Sequence, residues 1–287
     1  MTVSTQAYFQ NRRAAIATMH QKESVIAPLL EQALGLQPFV PREFDTDQFG
    51  TFTRDVDRPA NQVETAILKA NAALDMSDVM IAIASEGTFA PHPHLPYLPC
   101  NREVVVLVDR QHQLTIVGEV TSLETNFSHA SVSSVEAARS FAQKIGFPAH
   151  GLVVMPAPDH RDRAHILKGI RTEDHLTEAL THTLKTFGSA HLETDMRAMH
   201  NPTRMKVIQQ ATQNLIQKAT QVCQVCGTPG LDVVEYRRGL PCELCYHPTD
   251  KIMVAIYACQ KCGDRQEVPF PHGEHFANPA ECPFCNP

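Results

Sequence analysis

The 287-residue sequence lacks several features that would assign it to a class at once. It contains no apolar run of membrane-spanning length, and its first residues do not form a charged-then-apolar export signal. Basic charge is not in excess either, because the formal net charge is −6. We therefore expect a cytoplasmic globular protein without membrane association, and one that lacks the basic surface of a general nucleic-acid binder.

Cysteine is scarce in most of the chain, since Cys100 is the only one before position 223. In a cytosolic protein, clustered Cys-x-x-Cys pairs indicate metal binding rather than disulfides. Fifteen residues separate the first two pairs here and nineteen separate the last two, and both gaps fit a zinc site made of two pairs. The spacing predicts two structural zinc ions, each held by four thiolates. The eight predicted ligands are Cys223, Cys226, Cys242, Cys245, Cys259, Cys262, Cys282 and Cys285.

Two ways of pairing these motifs satisfy the spacing. The simpler one is sequential, with the first two pairs at one zinc and the last two at the other. Gly227 and Gly263 favour it, because each follows a second cysteine and each sequential site would hold one such knuckle. The alternative is cross-braced, joining the first pair to the third and the second to the fourth. Residues 221–287 carry five Lys or Arg against eight Asp or Glu, so we expect structural capping or partner docking here rather than nucleic-acid binding.

The remaining chain alternates predicted strands and helices, which indicates an α/β fold with a mixed sheet. The last predicted helix has an apolar seam that packs either on the core or on a second subunit of a homodimer. The predicted organisation is an N-terminal tail (1–11), an α/β domain (12–200), a connecting helix (201–220) and a double zinc ribbon (221–287).

Three polar segments of the α/β domain look convergent. Thr18 and Lys22 lie in a turn between a strand and a helix, where backbone N–H groups and a lysine can hold phosphate. Glu64 and Lys69 lie on a predicted helix. Glu86 follows a short apolar strand, and a proline- and histidine-rich loop is expected after it. A buried carboxylate at a strand tip is costly unless it is paired or metal-bound.

In this order, the three segments resemble the inosine triphosphate pyrophosphatase-like fold, a group that includes phosphatases for non-canonical purine nucleotides. Members begin with a strand, a Thr/Asn-rich turn and a Lys before a helix. They continue with a Glu-x-Ala-x-x-Lys-Ala helix and then place an acid beside a glycine at a strand end. The matching residues, within 12–125, are Thr18, Lys22, the segment 64–70 and Ser85-Glu86-Gly87.

The resemblance implies a metal-dependent nucleoside triphosphate pyrophosphohydrolase. Glu64 and Glu86 would hold Mg²⁺, while Lys22 and Lys69 would neutralise phosphate charge. The ligand would be a small phosphate compound or a nucleotide. The whole chain also resembles a bacterial family of unknown function that ends in paired zinc knuckles.

Further polar residues are candidates for substrate binding. His92 and His94 are two apart on an extended segment, so both side chains project the same way and suit one metal or the substrate. Arg197, His200 and Arg204 lie at or before the start of the last helix, where they suit either phosphate recognition or an interdomain salt-bridge cluster. His20, in the first turn, is a further candidate.

Two alternatives to the pyrophosphohydrolase remain open at this point. One is a non-catalytic nucleotide- or partner-binding protein on a degenerate pyrophosphatase fold that zinc braces. The other is a metallohydrolase centred on His92, His94 and Glu86.

Overall fold

A computed structural model describes residues 6–42, 44–46, 49, 59–92 and 95–287, and their strands form three sheets. The described helices are α1 (Gln6–Phe9), α2 (Glu23–Leu34), α3 (Gln62–Asp75), α4 (Val135–Ile145), α5 (Glu173–Phe187) and α6 (Pro202–Thr220). The described strands are β1 (Arg13–Ala17), β2 (Gln37–Phe39), β3 (Ile81–His92), β4 (Leu95–Asp109), β5 (Leu114–Ser122), β6 (His129–Val132), β7 (Leu152–Met155), β8 (Leu167–Ile170), β9 (Ala190–Thr194), β10 (Asp232–Arg238), β11 (Ile252–Ala258) and β12 (Arg265–Pro269).

The first sheet has five strands in the order β2-β1-β3-β4-β5. Strand β1 runs parallel to both its neighbours, whereas β3, β4 and β5 form an antiparallel meander. The sheet is therefore mixed, as predicted. Side chains alternate between its faces, so that Ile81 and Ile83 contact the core under α2 and α6 while Ala82 and Ala84 contact the core under α3.

Strand β3 is longer than the sequence predicts. The expected proline- and histidine-rich loop is wrong, because β3 continues to His92 and β4 begins at Leu95. Pro91 and Pro99 oppose each other in the two-stranded part of this hairpin. Proline has no N–H, and it is tolerated here because the outer edge of such a strand donates no hydrogen bond to a further strand. Glu86 consequently lies in the middle of β3. The strand that ends beside it is β1, whose last residue, Ala17, pairs with Ala84.

Helix α6 packs on the first sheet. Ile208 and Leu215 are fully buried in the core that α2, β4 and β5 share. Gly118 in β5 permits this approach, because a Cβ there would overlap backbone atoms of Ala211 and Leu215. Of the two alternatives for the seam of the last helix, packing on the core is the one observed.

The segment predicted as a single domain, 12–200, contains a second sheet with the order β6-β9-β7-β8. Helices α4 and α5 cover it, and they enclose a separate core that includes Leu152, Leu180 and Leu192. The sequence predicts helices over 133–145 and 172–187, and both are observed. Each has a capping side chain at its start and a left-handed glycine at its end. Strands β2, β6, β8 and β9 are not predicted from the sequence.

The C-terminal sheet, β10-β11-β12, is antiparallel, and the segment after β11 contacts the first sheet. The Gln260 side chain accepts from the Thr115 N–H at 3.2 Å and donates to the Thr115 carbonyl at 2.8 Å. Lys218 of α6 also pairs with Asp232 at 2.7 Å. These contacts fasten the cysteine-rich region to β5 and α6. Within the described residues, no helix is both long and apolar enough to cross a bilayer.

Candidate functional sites

The eight C-terminal cysteines form two groups of four. Within each group the sulfur atoms all lie within 4.8 Å of one another, and Cys223 and Cys262 are 3.6 Å apart. A tetrahedral zinc with Zn–S bonds of about 2.3 Å places its sulfurs about 3.8 Å apart, whereas a disulfide requires about 2.05 Å. The geometry therefore fits two four-thiolate zinc sites. The first cluster is Cys223, Cys226, Cys259 and Cys262; the second cluster is Cys242, Cys245, Cys282 and Cys285.

The pairing of the motifs is cross-braced, so the sequential pairing favoured by the sequence is wrong. The reason is the direction of the intervening strands. Because β10 and β11 are antiparallel, Asp232 at the start of β10 lies beside Ala258 at the end of β11, and this brings the first and third motifs together. The motifs after β10 and β12 meet at the opposite end of the sheet.

The glycine argument fails for a related reason, since both glycine knuckles belong to the first cluster. Gly227 and Gly263 have φ of 71° and 73°, and each donates its N–H to the carbonyl of the first cysteine in its motif. In the second cluster Tyr246 makes the same bond with φ of 60°. All three knuckles therefore contain a residue in the left-handed conformation. Glycine, which adopts this conformation without strain, occupies that position in the first cluster only.

In the first sheet, Glu86 is neutralised by Lys69 of α3. Lys69 Nζ lies 2.6 Å from Glu86 Oε2, and both side chains are 7% exposed. Gln62 of the same helix donates to the carbonyls of Glu86 and Arg102, at 2.7 Å in both cases. The pairing explains how a carboxylate is tolerated inside the fold.

A second ion pair lies on the opposite face of the same sheet. Arg204 Nε of α6 is 2.7 Å from Glu103 Oε1 of β4, and neither side chain is exposed to solvent. Gly87 opposes Glu103 across β3 and β4, and a Cβ on it would overlap the Glu103 carboxylate and the Arg204 guanidinium. The absence of a Cβ at Gly87 therefore leaves the space that this ion pair occupies.

Lys22 is the third buried cation, and its contacts differ from those of Lys69 and Arg204. Its Nζ lies 3.0 Å from the Ser85 hydroxyl and 3.4 Å from the Ser85 carbonyl. Burial, followed by the charges of Arg204 and Lys69, lowers the pKa of Lys22 to about 7, although Glu103 and Glu86 act in the opposite direction.

Thr18 lies next to this lysine and has an unsatisfied hydroxyl. The register of β1 against β3 places Thr18 beside Ser85, directly after the Ala17–Ala84 pair. Thr18 is 4% exposed, and its Oγ1 has no hydrogen-bond partner in the described part of the chain. The 12-residue helix α2 begins here, with Lys22 at the N-cap and no side-chain cap. A hydroxyl and an amine are the donors that this turn offers an oxyanion, because the N–H groups of Ser24 and Val25 already donate to backbone carbonyls.

The structure does not bring Glu64 into this cluster. Glu64 lies in the first turn of α3 with an exposed side chain, about 140° around the helix from the buried Lys69. Among the described residues, the only groups of three or more side chains arranged for a metal are the two cysteine clusters. His92 is partly buried at the end of β3, His20 is partly buried after β1, and His94 lies outside the described residues.

Arg197 and His200 belong to another group of residues, beside the second sheet. Arg197 pairs with the buried Asp195 at 2.6 Å, and Asp195 also accepts the Gly169 N–H at 3.1 Å. Burial is the main cause that lowers the pKa of His200. Of the three candidates near α6, Arg204 alone is the one that joins the cluster around Lys22, where its charge acts on that lysine.

Sequence reasoning missed Glu103 and Gln62 as members of the site, and it gave Ser85 only as part of the matching segment 85–87. Glu103 had a signal in the sequence, because this charged residue stands directly before the apolar run 104–108. The structure shows that it is fully buried. A charge in such a run implies a buried counter-charge elsewhere in the chain. Gln62 carried no signal beyond its neighbours.

Comparison with known families places most of this chain in one of them. Residues 69–287 match the family model of a domain of unknown function, DUF6671. The chain belongs to this family. The matched segment contains both cysteine clusters and both buried ion pairs, while Thr18 and Lys22 lie outside it. A search of curated proteins found no match. The resemblance to an uncharacterised family with paired zinc knuckles is confirmed to that extent, and the pyrophosphatase-like fold stays a prediction.

Proposed function

We propose that the protein binds the phosphate of a small molecule, of the nucleotide class, at the end of β1. The phosphate site consists of Thr18, Lys22, Ser85 and the start of α2. One observation carries the proposal. Among the described residues, two of the three clustered cations have a carboxylate within hydrogen-bonding distance, whereas Lys22 contacts only the neutral oxygens of Ser85.

An oxyanion would resolve both anomalies of this site. It would neutralise Lys22, which is 7% exposed, and it would accept a hydrogen bond from the Thr18 hydroxyl. The N-terminal end of α2 carries partial positive charge and adds to the attraction. The location supports the same conclusion, because ligands of α/β sheets bind where parallel strands end.

Hydrolysis of the bound nucleotide is a second candidate, and Glu86 is the residue that supports it. Its carboxylate belongs to the strand next to β1, and its charge acts on Lys22. A Mg²⁺ ion at Glu86 would polarise phosphate oxygens and activate water. Because Lys69 pairs with Glu86, metal binding requires this ion pair to open or to share its carboxylate. In this proposal the cysteine clusters have a structural role.

The test measures binding and turnover on the same protein. Nucleoside mono-, di- and triphosphates are added with and without Mg²⁺, and the melting temperature and released phosphate or pyrophosphate are recorded. We expect nucleotides to raise the melting temperature of the wild type and of Lys144→Met, which removes an exposed lysine on α4. Lys22→Met should lose this response.

The outcomes separate the candidates. Pyrophosphate release that requires Mg²⁺ and disappears in Glu86→Gln, with nucleotide binding retained, supports the hydrolase. Binding without release supports the non-catalytic alternative. The proposal fails if no nucleotide changes the melting temperature, or if Lys22→Met responds as the wild type does.

A further inference from the structure

We infer that the phosphate site binds a terminal phosphate together with one proton, and that Lys22 takes up this proton from solution. The inference rests on the proposed function. It adds the form of the ligand and a coupled protonation step, and it follows from the arrangement of five charged side chains around the middle of β3, where β1 ends.

The charges that face Lys22 come from four elements packed around it. Arg204 of α6 and Lys69 of α3 are cations, whereas Glu103 of β4 and Glu86 of β3 are anions. Each of these cations is paired with one of these anions, at 2.7 Å and 2.6 Å respectively. Among the residues that the structure describes, these four charges balance without Lys22. A proton on Lys22 adds an uncompensated charge to an enclosed site.

The contacts of Lys22 suit a neutral amine as well as an ammonium group. The Ser85 hydroxyl at 3.0 Å can donate to the amine or accept from the ammonium. Burial and the two neighbouring cations hold the pKa of Lys22 near 7, so that both forms are populated in the empty site at neutral pH. An arriving phosphate supplies the missing negative charge, and this favours the ammonium form.

The protonation step balances without any other reactant. The neutral amine of Lys22, one proton from solvent and the phosphate combine into an ammonium–phosphate ion pair. The buffer acid loses the proton, so its bond to hydrogen breaks as the N–H bond forms, and no other covalent bond changes. Above pH 7 the association constant should fall about tenfold per pH unit, because the binding-competent form of Lys22 becomes rarer.

The burial of the site limits which kind of phosphate group can bind there. Thr18 and Lys22 are 4% and 7% exposed, and Ser85 is 2% exposed. A phosphate with one substituent can enter such a site with its three free oxygens first, whereas a phosphodiester would need space for chains on two sides. The ligand class is therefore a phosphomonoester or the terminal phosphate of a nucleotide.

Calorimetric titration of a nucleoside 5′-monophosphate into the full-length protein tests the coupled proton. Titrations at one pH in two buffers with different ionisation enthalpies give the number of protons exchanged. We expect uptake of about one proton per ligand near pH 8.5 and about half a proton near pH 7. Lys144→Met is the matched control and should behave as the wild type.

Two variants test whether the proton that is taken up binds to Lys22. Lys22→Arg keeps a permanent charge and should bind without proton uptake, and Lys22→Met should bind at least tenfold more weakly and also without uptake. Uptake that persists in both variants overturns the inference, as does wild-type binding near pH 8.5 with no proton exchanged; the proposed function survives either result. Failure of the wild type to bind any nucleotide overturns both.

Discussion

Arg204 and Glu103 are 101 positions apart in sequence, yet their side chains form an ion pair of 2.7 Å from which solvent is fully excluded. The pair joins α6 to the centre of the first sheet, directly over Gly87. Arg204 also donates to the Met196 carbonyl at 2.5 Å, so the same side chain contacts the segment that follows the second sheet. This residue connects three parts of the fold.

Removal of one partner of this pair should be strongly destabilising. Arg204→Met leaves the Glu103 carboxylate buried without a counter-charge, and we expect a loss of about 3–5 kcal/mol in the free energy of unfolding. The double variant Arg204→Met/Glu103→Leu should recover most of the loss. Urea denaturation measures all of these values.

The matched control is the exposed pair Arg102–Glu119, whose side chains are 45% and 48% exposed. Arg102→Met should cost less than about 1 kcal/mol because solvent screens such pairs. If Arg204→Met lowers the free energy of unfolding no more than Arg102→Met does, the buried pair stabilises the fold no more than an exposed pair.

The cysteine pairing gives a prediction of metal content. Serine replacement of the four cysteines in the first and third motifs removes one cluster and leaves the other intact, so the purified variant should hold about one zinc. Replacement of the first and second motifs leaves two cysteines in each cluster, and this variant should hold almost none. Sequential pairing requires the reverse result.

The sequence predicted the parts of this protein that depend on local signals. The eight cysteines, the helices and the polar turn at Thr18 and Lys22 each lie within a few residues of the pattern that reveals them. The pairing of the cysteine motifs depends instead on antiparallel strands, which no spacing between cysteines encodes.

The buried charge cluster was only partly predictable for the same reason. Glu86 and Lys69 were both predicted as site residues, but as partners of metal and phosphate rather than of each other. Glu103 and Arg204 are brought together by the packing of α6 on β4 and β5, which depends on long-range contacts. Glu64 shares a helix with Lys69 but not its buried face.

Protein stability should depend on pH through Lys22 in the absence of ligand. The folded protein lowers the pKa of this lysine from 10.5 to about 7, so between these values the unfolded chain binds more protons. Stability therefore rises with pH across this window, by up to about 1.4 kcal/mol per pH unit, and the penalty is fully present below pH 7.

Lys22→Met removes this penalty. We expect the variant to be more stable than the wild type at pH 6, with an advantage that shrinks as the pH rises towards 9. Denaturant unfolding of both proteins across this range provides the comparison, with Lys144→Met as the control that should show no such trend. A stability difference that does not change with pH would contradict a depressed pKa at Lys22.

The most direct test of the phosphate site is a crystal structure of the protein with tungstate, a tetrahedral oxyanion that anomalous scattering locates without ambiguity. We predict a tungstate ion with its oxygens within about 3.2 Å of Thr18 Oγ1 and Lys22 Nζ, which is ordinary hydrogen-bonding distance. Lys22→Met crystals treated in the same way should lack it. A wild-type structure without tungstate at this position, in which a protein group or water satisfies the Thr18 hydroxyl instead, would contradict the account.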